Sequence, residues 1–366
     1  MTLSGQPRTD GSAAAGAEDE APEERFEREL AAACAEHRRR PDFFVVGHAK
    51  CGTTALYGML EQHPQIYMSA VKEPRFLSRA LDEPLDCERA RSLHGPGKRP
   101  QTLEAYLALF ADALPQQSAG EASPQYIRSQ SAPRRIAALC PDARIVAIFR
   151  EPVSFLRSLH LQLLEAGIET EPDFAAALAL EPERRNGRHI PRDCVEPDRL
   201  LYSEHVRYTL QLRRFHERFG RERVLALIYD DFRSDNHATV AEVFRFLGVE
   251  DSFQIRAADA NPTVRVRSPR AHDLVHGAAL GDGPILQGVK RVLKATTPAR
   301  LRRRAVREIS RKLVDREPGP ADPALVLELQ RRFKDEVVAA SEYLDRDLVS
   351  LWGYDALARP SDPAGA

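Results

Sequence analysis

The chain has 366 residues, enough for one large domain or two ordinary ones with a sizeable buried core. Its 53 Lys and Arg and 54 Asp and Glu leave a formal net charge of −1, so the overall balance does not point to a nucleic-acid or membrane partner, and any affinity for anions must be local. Cys34, Cys51, Cys87, Cys140 and Cys194 are odd in number with no CxxC, which argues against a disulfide scaffold or a zinc site, and no run approaches the ~20 apolar residues of a membrane span. With no signal pattern at the amino terminus either, the expectation is a soluble cytoplasmic protein with no membrane span.

In chain order, residues 1–23 are small, polar and acidic and read as a disordered leader, because so few apolar groups cannot offset the entropy of ordering. Residues 24–40 have helical composition, with Phe26 and Leu30 four apart. Phe43 to Val46 is a continuous apolar run and predicts a strand buried on both faces. Gly47 to Gly52 is a tight polar loop, and Leu56, Met59 and Leu60 then fall on one face of a helix that stops near His63-Pro64. A short apolar segment, Gln65 to Met68, precedes the turn-rich KEPRFLS at Lys72 to Ser78, and Asp82 to Arg99 reads as an irregular loop. Helical spacing of Leu103, Tyr106, Leu107 and Phe110 predicts a helix over 102–113, and the Ser-Pro of GEASPQYI at Gly120 to Ile127 predicts a turn or helix start. Ala132 to Cys140 reads as a helix feeding a second strand, Arg144 to Phe149, which ends on Arg150. Glu151-Pro152 restarts a helix, since proline is tolerated at the first helical position.

Pro172 to Arg199 is charged and proline-rich and reads as a surface excursion; Leu201 to Phe219 reads as one long amphipathic helix closed by Gly220. Val224 to Tyr229 is the third strand, and Phe244 to Leu247 closes another helix. Asn261 to Pro269 reads as an extended loop, and Lys290 to Arg316, with eleven basic residues against two acidic, as a solvated helix face or a rim attracting an acidic substrate. Leu325, Leu329, Phe333 and Val337 mark a last helix, Trp352 an anchor behind it, and 355–366 a flexible tail. Buried strands separated by helices predict an α/β fold, a central parallel sheet flanked by helices, in a single domain over 41–354.

A strand entering a glycine-bounded loop and then a helix offers several N–H groups and the positive end of a helix dipole to one anion. The spacing Gly47, four residues, Gly52 matches an ATP-binding P-loop, but a Walker A lysine directly follows the second glycine. Here that position is Thr53, and the lysine is Lys50, two residues before Gly52. The strand that should carry a metal-holding aspartate ends instead on Arg150, a cation suited to a second phosphate. No HExxH motif is present. A nucleotide with phosphates in two places and no obligatory metal is the expectation.

These residues carry a family resemblance. KCGTTAL is similar to the 5′-phosphosulfate loop of the sulfotransferases that use 3′-phosphoadenosine 5′-phosphosulfate (PAPS), and FREPVSFLRS resembles their 3′-phosphate motif, with Arg150 and Ser158 eight apart. VLALIYDDF, FRFLGV and DLVSLWGY resemble the family framework, so the likeness covers roughly Asp42 to Tyr354 and is nearest to the carbohydrate and bacterial types. It implies the P-loop-containing nucleoside triphosphate hydrolase-like sulfotransferase fold and transfer of a sulfuryl group from PAPS to a hydroxyl or amine of a glycan or small-molecule acceptor. It implies that Lys50, Cys51, Gly52, Thr53 and Thr54 hold the 5′-phosphosulfate, that Arg150 and Ser158 hold the 3′-phosphate, and that no metal is needed. Lys50 would also support charge on the leaving phosphate, and Glu73 is similar to the family's carboxylate base; the alternative for Glu73 is an ion pair with Lys72 or Arg75. His63 and His160 are the other candidate bases. Ser123 and Tyr126 match a segment lining the acceptor cleft, or serve a structural turn. The arginine-lysine-glycine element of cytosolic members has no clear match, leaving Arg265, Arg267 and Arg270 as candidates for that contact. The competing readings are a metal-dependent P-loop kinase or NTPase and a non-catalytic nucleotide binder.

Overall fold

A computed structural model describes residues 22–35, 38–78, 99–191, 194, 196–256, 265–266, 314–315 and 322–357. The leader 1–21, most of the 82–99 loop, Arg267, Arg270, the basic stretch from Lys290 apart from 314–315, and the tail beyond 357 lie outside the described residues.

The described elements begin with α1 (Pro22–Ala35), β1 (Phe43–Gly47), α2 (Thr53–Leu60), β2 (Ile66–Met68), α3 (Leu103–Leu107), β3 (Ser118–Ala122), α4 (Ala132–Leu139), β4 (Arg144–Phe149) and α5 (Pro152–Glu165). They continue through α6 (Phe174–Ala179), α7 (Glu181–Arg185), α8 (Tyr202–His205), α9 (Tyr208–Phe219), β5 (Val224–Ile228), α10 (Tyr229–Ser234) and α11 (Asn236–Leu247). A short antiparallel pair, β6 (Arg265–Val266) with β7 (Val314–Asp315), precedes α12 (Pro323–Leu344) and α13 (Leu348–Leu351).

The main sheet has the order β2-β3-β1-β4-β5 and every pairing in it is parallel. The predicted central parallel sheet flanked by helices is the observed one. All five residues of β1 are buried, as its unbroken apolar run requires of a strand covered on both faces. The chain leaves β1 toward β2 and β3 on one side and later returns to β4 and β5 on the other, so the β1 loop sits at the point where the strand order reverses. Ligands of open α/β sheets bind outside the carboxyl ends of the strands at such a point.

Three expectations need correction. GEASPQYI is not only a turn: Ser118–Ala122 forms β3 beside β1, with Gly120 opposite Phe43. A Cβ at Gly120 would lie 2.2 Å from the Phe43 ring, so this run of small residues is what lets a phenylalanine lie across it. The Pro172–Arg199 excursion is not merely surface: it holds α6 and α7, and Arg184 forms a buried two-pronged pair with Glu169, Nη1 to Oε2 at 2.7 Å and Nη2 to Oε1 at 2.8 Å. The helix expected over Leu201 to Phe219 is broken at Val206-Arg207 into α8 and α9. The Gln211 amide donates to the carbonyls of Glu204 at 2.9 Å and His205 at 3.4 Å, satisfying groups that a continuous helix would have paired itself.

The C-terminal helices close over the same edge of the sheet. Trp352 is buried and its Nε1 donates to Asp230 just after β5 at 2.9 Å, while the Tyr354 hydroxyl donates to Glu151 just after β4 at 2.8 Å.

Candidate active site

The loop after β1 is shaped by its backbone. Gly47, Lys50 and Gly52 have φ of 129°, 69° and 86°. At Gly47 a Cβ would meet the Ile148 carbonyl oxygen at 2.5 Å, and at Gly52 it would meet the Phe232 ring at 2.9 Å, so both glycines are required by space as well as by φ. Gly52 is the N-cap of α2 and brings no side chain to that helix end, which leaves the first-turn amides for something else. Thr53 is buried and Thr54 exposed. Cys51 is fully buried, and burial pushes its thiol up to about 12, which makes it a packing group rather than a nucleophile.

Lys50 is half-buried, and its ammonium makes no hydrogen bond or ion pair among the described residues. Burial lowers its pKa, Arg150 lowers it further, and Glu165 opposes them. Arg150 reaches back to this loop: its Nη1 donates to the Lys50 carbonyl at 3.0 Å and its Nη2 to the Ser154 hydroxyl at 2.6 Å. The guanidinium stacks 4.7 Å from the centre of the Tyr229 ring, and the Tyr208 hydroxyl donates to the Arg150 carbonyl at 2.7 Å. Glu151 caps α5, accepting from the amides of Val153 and Ser154. Ser154 and Ser158 are four apart and so share a helical face; Ser158 is buried. The family resemblance singles out Ser158 and passes over Ser154, whose signal is its own four-residue step from Arg150.

These groups fit a nucleotide carrying phosphates in two places. Lys50 and the first-turn amides of α2 belong to one loop, Arg150 with Ser154 joins it from the end of β4, and the Tyr229 and Phe232 rings leave no room for a side chain at Gly52. Among the described residues no three His, Cys, Asp or Glu side chains gather in a metal-binding group.

Glu73 follows β2 at the same edge. Both of its oxygens are paired: Lys72 Nζ donates to Oε1 at 3.0 Å, and Arg75 donates to Oε2 from Nε at 3.2 Å and from Nη2 at 2.5 Å. Burial pushes this carboxyl upward, but Arg75 and then Lys72 outweigh it and hold the group at about 2. Glu73 and Arg75 both have φ of 57°, a left-handed conformation that costs a non-glycine residue about 1–2 kcal/mol. The Glu73 amide donates to the Ala122 carbonyl at 3.1 Å, tying this loop to the end of β3.

The candidate histidines lie elsewhere. His63 is buried between Phe244 and Phe253, with its Nδ1 accepting from the Gln65 amide and its Nε2 2.8 Å from the Glu250 carbonyl. His160 is buried with Nδ1 2.8 Å from the Tyr202 hydroxyl, which in turn donates to Glu169. Ser123 and Tyr126 are also buried, and their hydroxyls donate to Glu121. Of Arg265 only the backbone is described, in β6, which lies beside α5.

A family profile described as the sulfotransferase family matches residues 41–253. Heparan sulfate glucosamine 3-O-sulfotransferase 6 of Mus musculus is 32% identical over 127 residues, covering 35% of this chain and 32% of that protein. Carbohydrate sulfotransferase 15 of Homo sapiens is 27% identical over 281 residues, covering 64% of this chain and 48% of that protein. The chain thus spans about a third of the first relative and about half of the second. The crystal structure of a sulfotransferase from Alicyclobacillus acidocaldarius superposes with a TM-score of 0.61 at 25% identity, over 86% of this chain and 99% of that one.

Proposed function

The chain belongs to the sulfotransferase family, and we propose that it transfers the sulfuryl group of PAPS to a hydroxyl or amine of a carbohydrate or small-molecule acceptor. The observation that carries this reading is the pairing of Arg150 with the Lys50 carbonyl, which joins the two cations into one unit at the reversal point of the sheet. A kinase-type loop would place its lysine after Gly52 and a carboxylate at the end of the neighbouring strand. Here Thr53 follows Gly52, the lysine lies two residues before that glycine, and the neighbouring strand ends on Arg150, which favours a site that handles a phosphosulfate and a second phosphate without a metal.

Sulfuryl transfer in this reading is an in-line displacement governed by positioning and charge. Lys50 and the α2 amides neutralise the negative charge that grows on the departing phosphate oxygen. Arg150, with Ser154 and Ser158 on the adjoining helical face, fixes the far end of the nucleotide. Glu73 takes the proton of the acceptor. Among the described residues Oε1 accepts only from Lys72, so a lone pair of that oxygen is open to the acceptor hydroxyl while Arg75 holds Oε2.

Thermal denaturation with adenosine 3′,5′-bisphosphate tests the reading. The bisphosphate should raise the Tm in the presence of EDTA while ATP has little effect. Stabilisation by ATP that depends on magnesium, without a response to the bisphosphate, would transfer the chain to the kinase type.

A further inference from the structure

Glu121 is wholly buried near the end of β3, and the mechanism above does not use it. A buried carboxyl needs partners, and it has three hydroxyls: Ser123 Oγ donates to Oε2 at 2.6 Å, and Tyr126 and Tyr106 donate to Oε1 at 2.8 and 2.9 Å. Two of these hydroxyls also accept. The Arg75 amide donates to Ser123 Oγ at 3.1 Å, and the Leu77 amide donates to the Tyr126 hydroxyl at 3.2 Å. Each hydroxyl has one proton, and Glu121 takes it, which turns the oxygen's lone pairs toward the amide. The carboxylate therefore sets the direction of two relays that end on the segment carrying Glu73.

That segment needs fastening. Glu73 and Arg75 are both left-handed, with Pro74 between them, and such backbone persists only where its surroundings over-determine it. Besides the Glu73 amide on Ala122 and the Gln125 side-chain amide on Ser78 Oγ at 3.1 Å, the amides at Arg75 and Leu77 tie it to the strand side, and both of these run through Glu121. Arg75 in turn holds Glu73 through its guanidinium.

We propose that Glu121 is a positioning residue for transfer: through the Ser123 and Tyr126 hydroxyls it anchors the backbone at Arg75 and Leu77 and so presents the Glu73–Arg75 pair to the acceptor. The proposal rests on the sulfotransferase reading for its effect on turnover but not for the anchoring itself.

Amide hydrogen exchange resolved by residue, together with steady-state transfer from PAPS, tests both parts. In Glu121→Gln the carboxamide keeps one accepting oxygen and makes the other a donor, so the amide on the relay that meets the NH2, Arg75 or Leu77, should lose protection while Glu73, bonded to the Ala122 carbonyl, keeps its own. The kcat should fall about 10²-fold, as for a sub-ångström to 1 Å misplacement, with the KM for PAPS unchanged. Should Glu121→Gln fail to fold, Ser123→Ala and Tyr126→Phe each cut one relay and should deprotect Arg75 alone and Leu77 alone. Wild-type protection at both amides in these variants overturns the anchoring. Deprotection with unchanged kcat, or a loss expressed in the KM for PAPS, overturns the link to transfer. If the wild-type chain transfers no sulfuryl group yet the exchange pattern is as stated, the sulfotransferase reading fails and the anchoring stands.

Discussion

Glu121→Gln should change how stability depends on pH, by an amount that can be worked out from the surroundings of the carboxyl. Burial pushes Glu121 up from the ordinary 4.5 to about 7, against the hydrogen bonds from Ser123, Tyr126 and Tyr106, with the nearby Glu73 carboxylate adding to the rise. The folded state therefore binds more protons than the unfolded state between those two values, so this group's contribution to stability declines as pH rises through the window. Each unit of difference is worth ~1.36 kcal/mol, so the decline approaches about 3 kcal/mol by neutral pH. Glutamine keeps the volume and cannot ionise. Urea unfolding of both proteins at closely spaced pH values isolates the effect, because all other titrating groups cancel in the difference to a first approximation. Wild-type stability minus variant stability should be level below pH 4.5, fall by ~1.4 kcal/mol per unit up to about pH 7, and level again above it. A difference that is constant between pH 5 and 7 would refute the claim that this carboxyl is desolvated.

Four further substitutions probe the rest of the site and the fold. Lys50→Ala should lower kcat by about 10²–10³, as loss of one charge-stabilising group does, with urea unfolding within about 0.5 kcal/mol of wild type because the ammonium has no protein partner among the described residues. Glu73→Gln should keep bisphosphate binding by calorimetry and slow transfer by about 10²–10⁴; unchanged transfer would move proton acceptance to another group. Gly52→Ala must accept a φ of 86° and a Cβ 2.9 Å from the Phe232 ring, so it should lower the Tm and weaken bisphosphate binding together, at a cost of about 1–3 kcal/mol from overpacking alone. Arg184→Met leaves the Glu169 carboxylate buried without its guanidinium and should cost about 3–5 kcal/mol in urea unfolding, much of it recovered in the double variant with Glu169→Leu.

The nucleotide half of the proposed site is legible because it is local. β1, its loop and α2 are contiguous, and the displaced lysine, the glycine spacing and the arginine closing β4 can each be read within a dozen residues. The acceptor half is not. β3 is made of small and polar residues that lack a strand's apolar signature, and its Glu121 finds partners from Tyr106 through Tyr126 that no spacing rule connects. GEASPQYI reads as an acceptor-lining segment or a structural turn, and the Ser123 and Tyr126 hydroxyls are buried and donate to Glu121. The buried Glu169–Arg184 pair is not legible for a related reason: a charged, proline-rich composition predicts exposure, and only the fold can reveal that Arg184 within it is neutralised by Glu169 just before it. The break at Val206-Arg207 is likewise invisible in an apolar spacing that continues across it, and the Gln211 amide satisfies the carbonyls that the break leaves free.

The two carboxyls beside the acceptor loop act on stability with opposite signs. Glu73, depressed to about 2, contributes stability that is fully present above its ordinary 4.5 and is lost as pH falls through about 2. Glu121, raised to about 7, lowers stability over the range just above the point where Glu73 reaches its full contribution. Both amounts are of the order of 3 kcal/mol, so at neutral pH they largely offset one another. An apolar side chain at 121 would avoid the desolvation, and well-packed apolar replacements of buried charge are commonly neutral or stabilising. Folding therefore does not explain a carboxyl at this position. Its hydroxyl relays to Arg75 and Leu77 do: they hold two left-handed residues in place, and the ion pair that depresses Glu73 depends on Arg75 staying there.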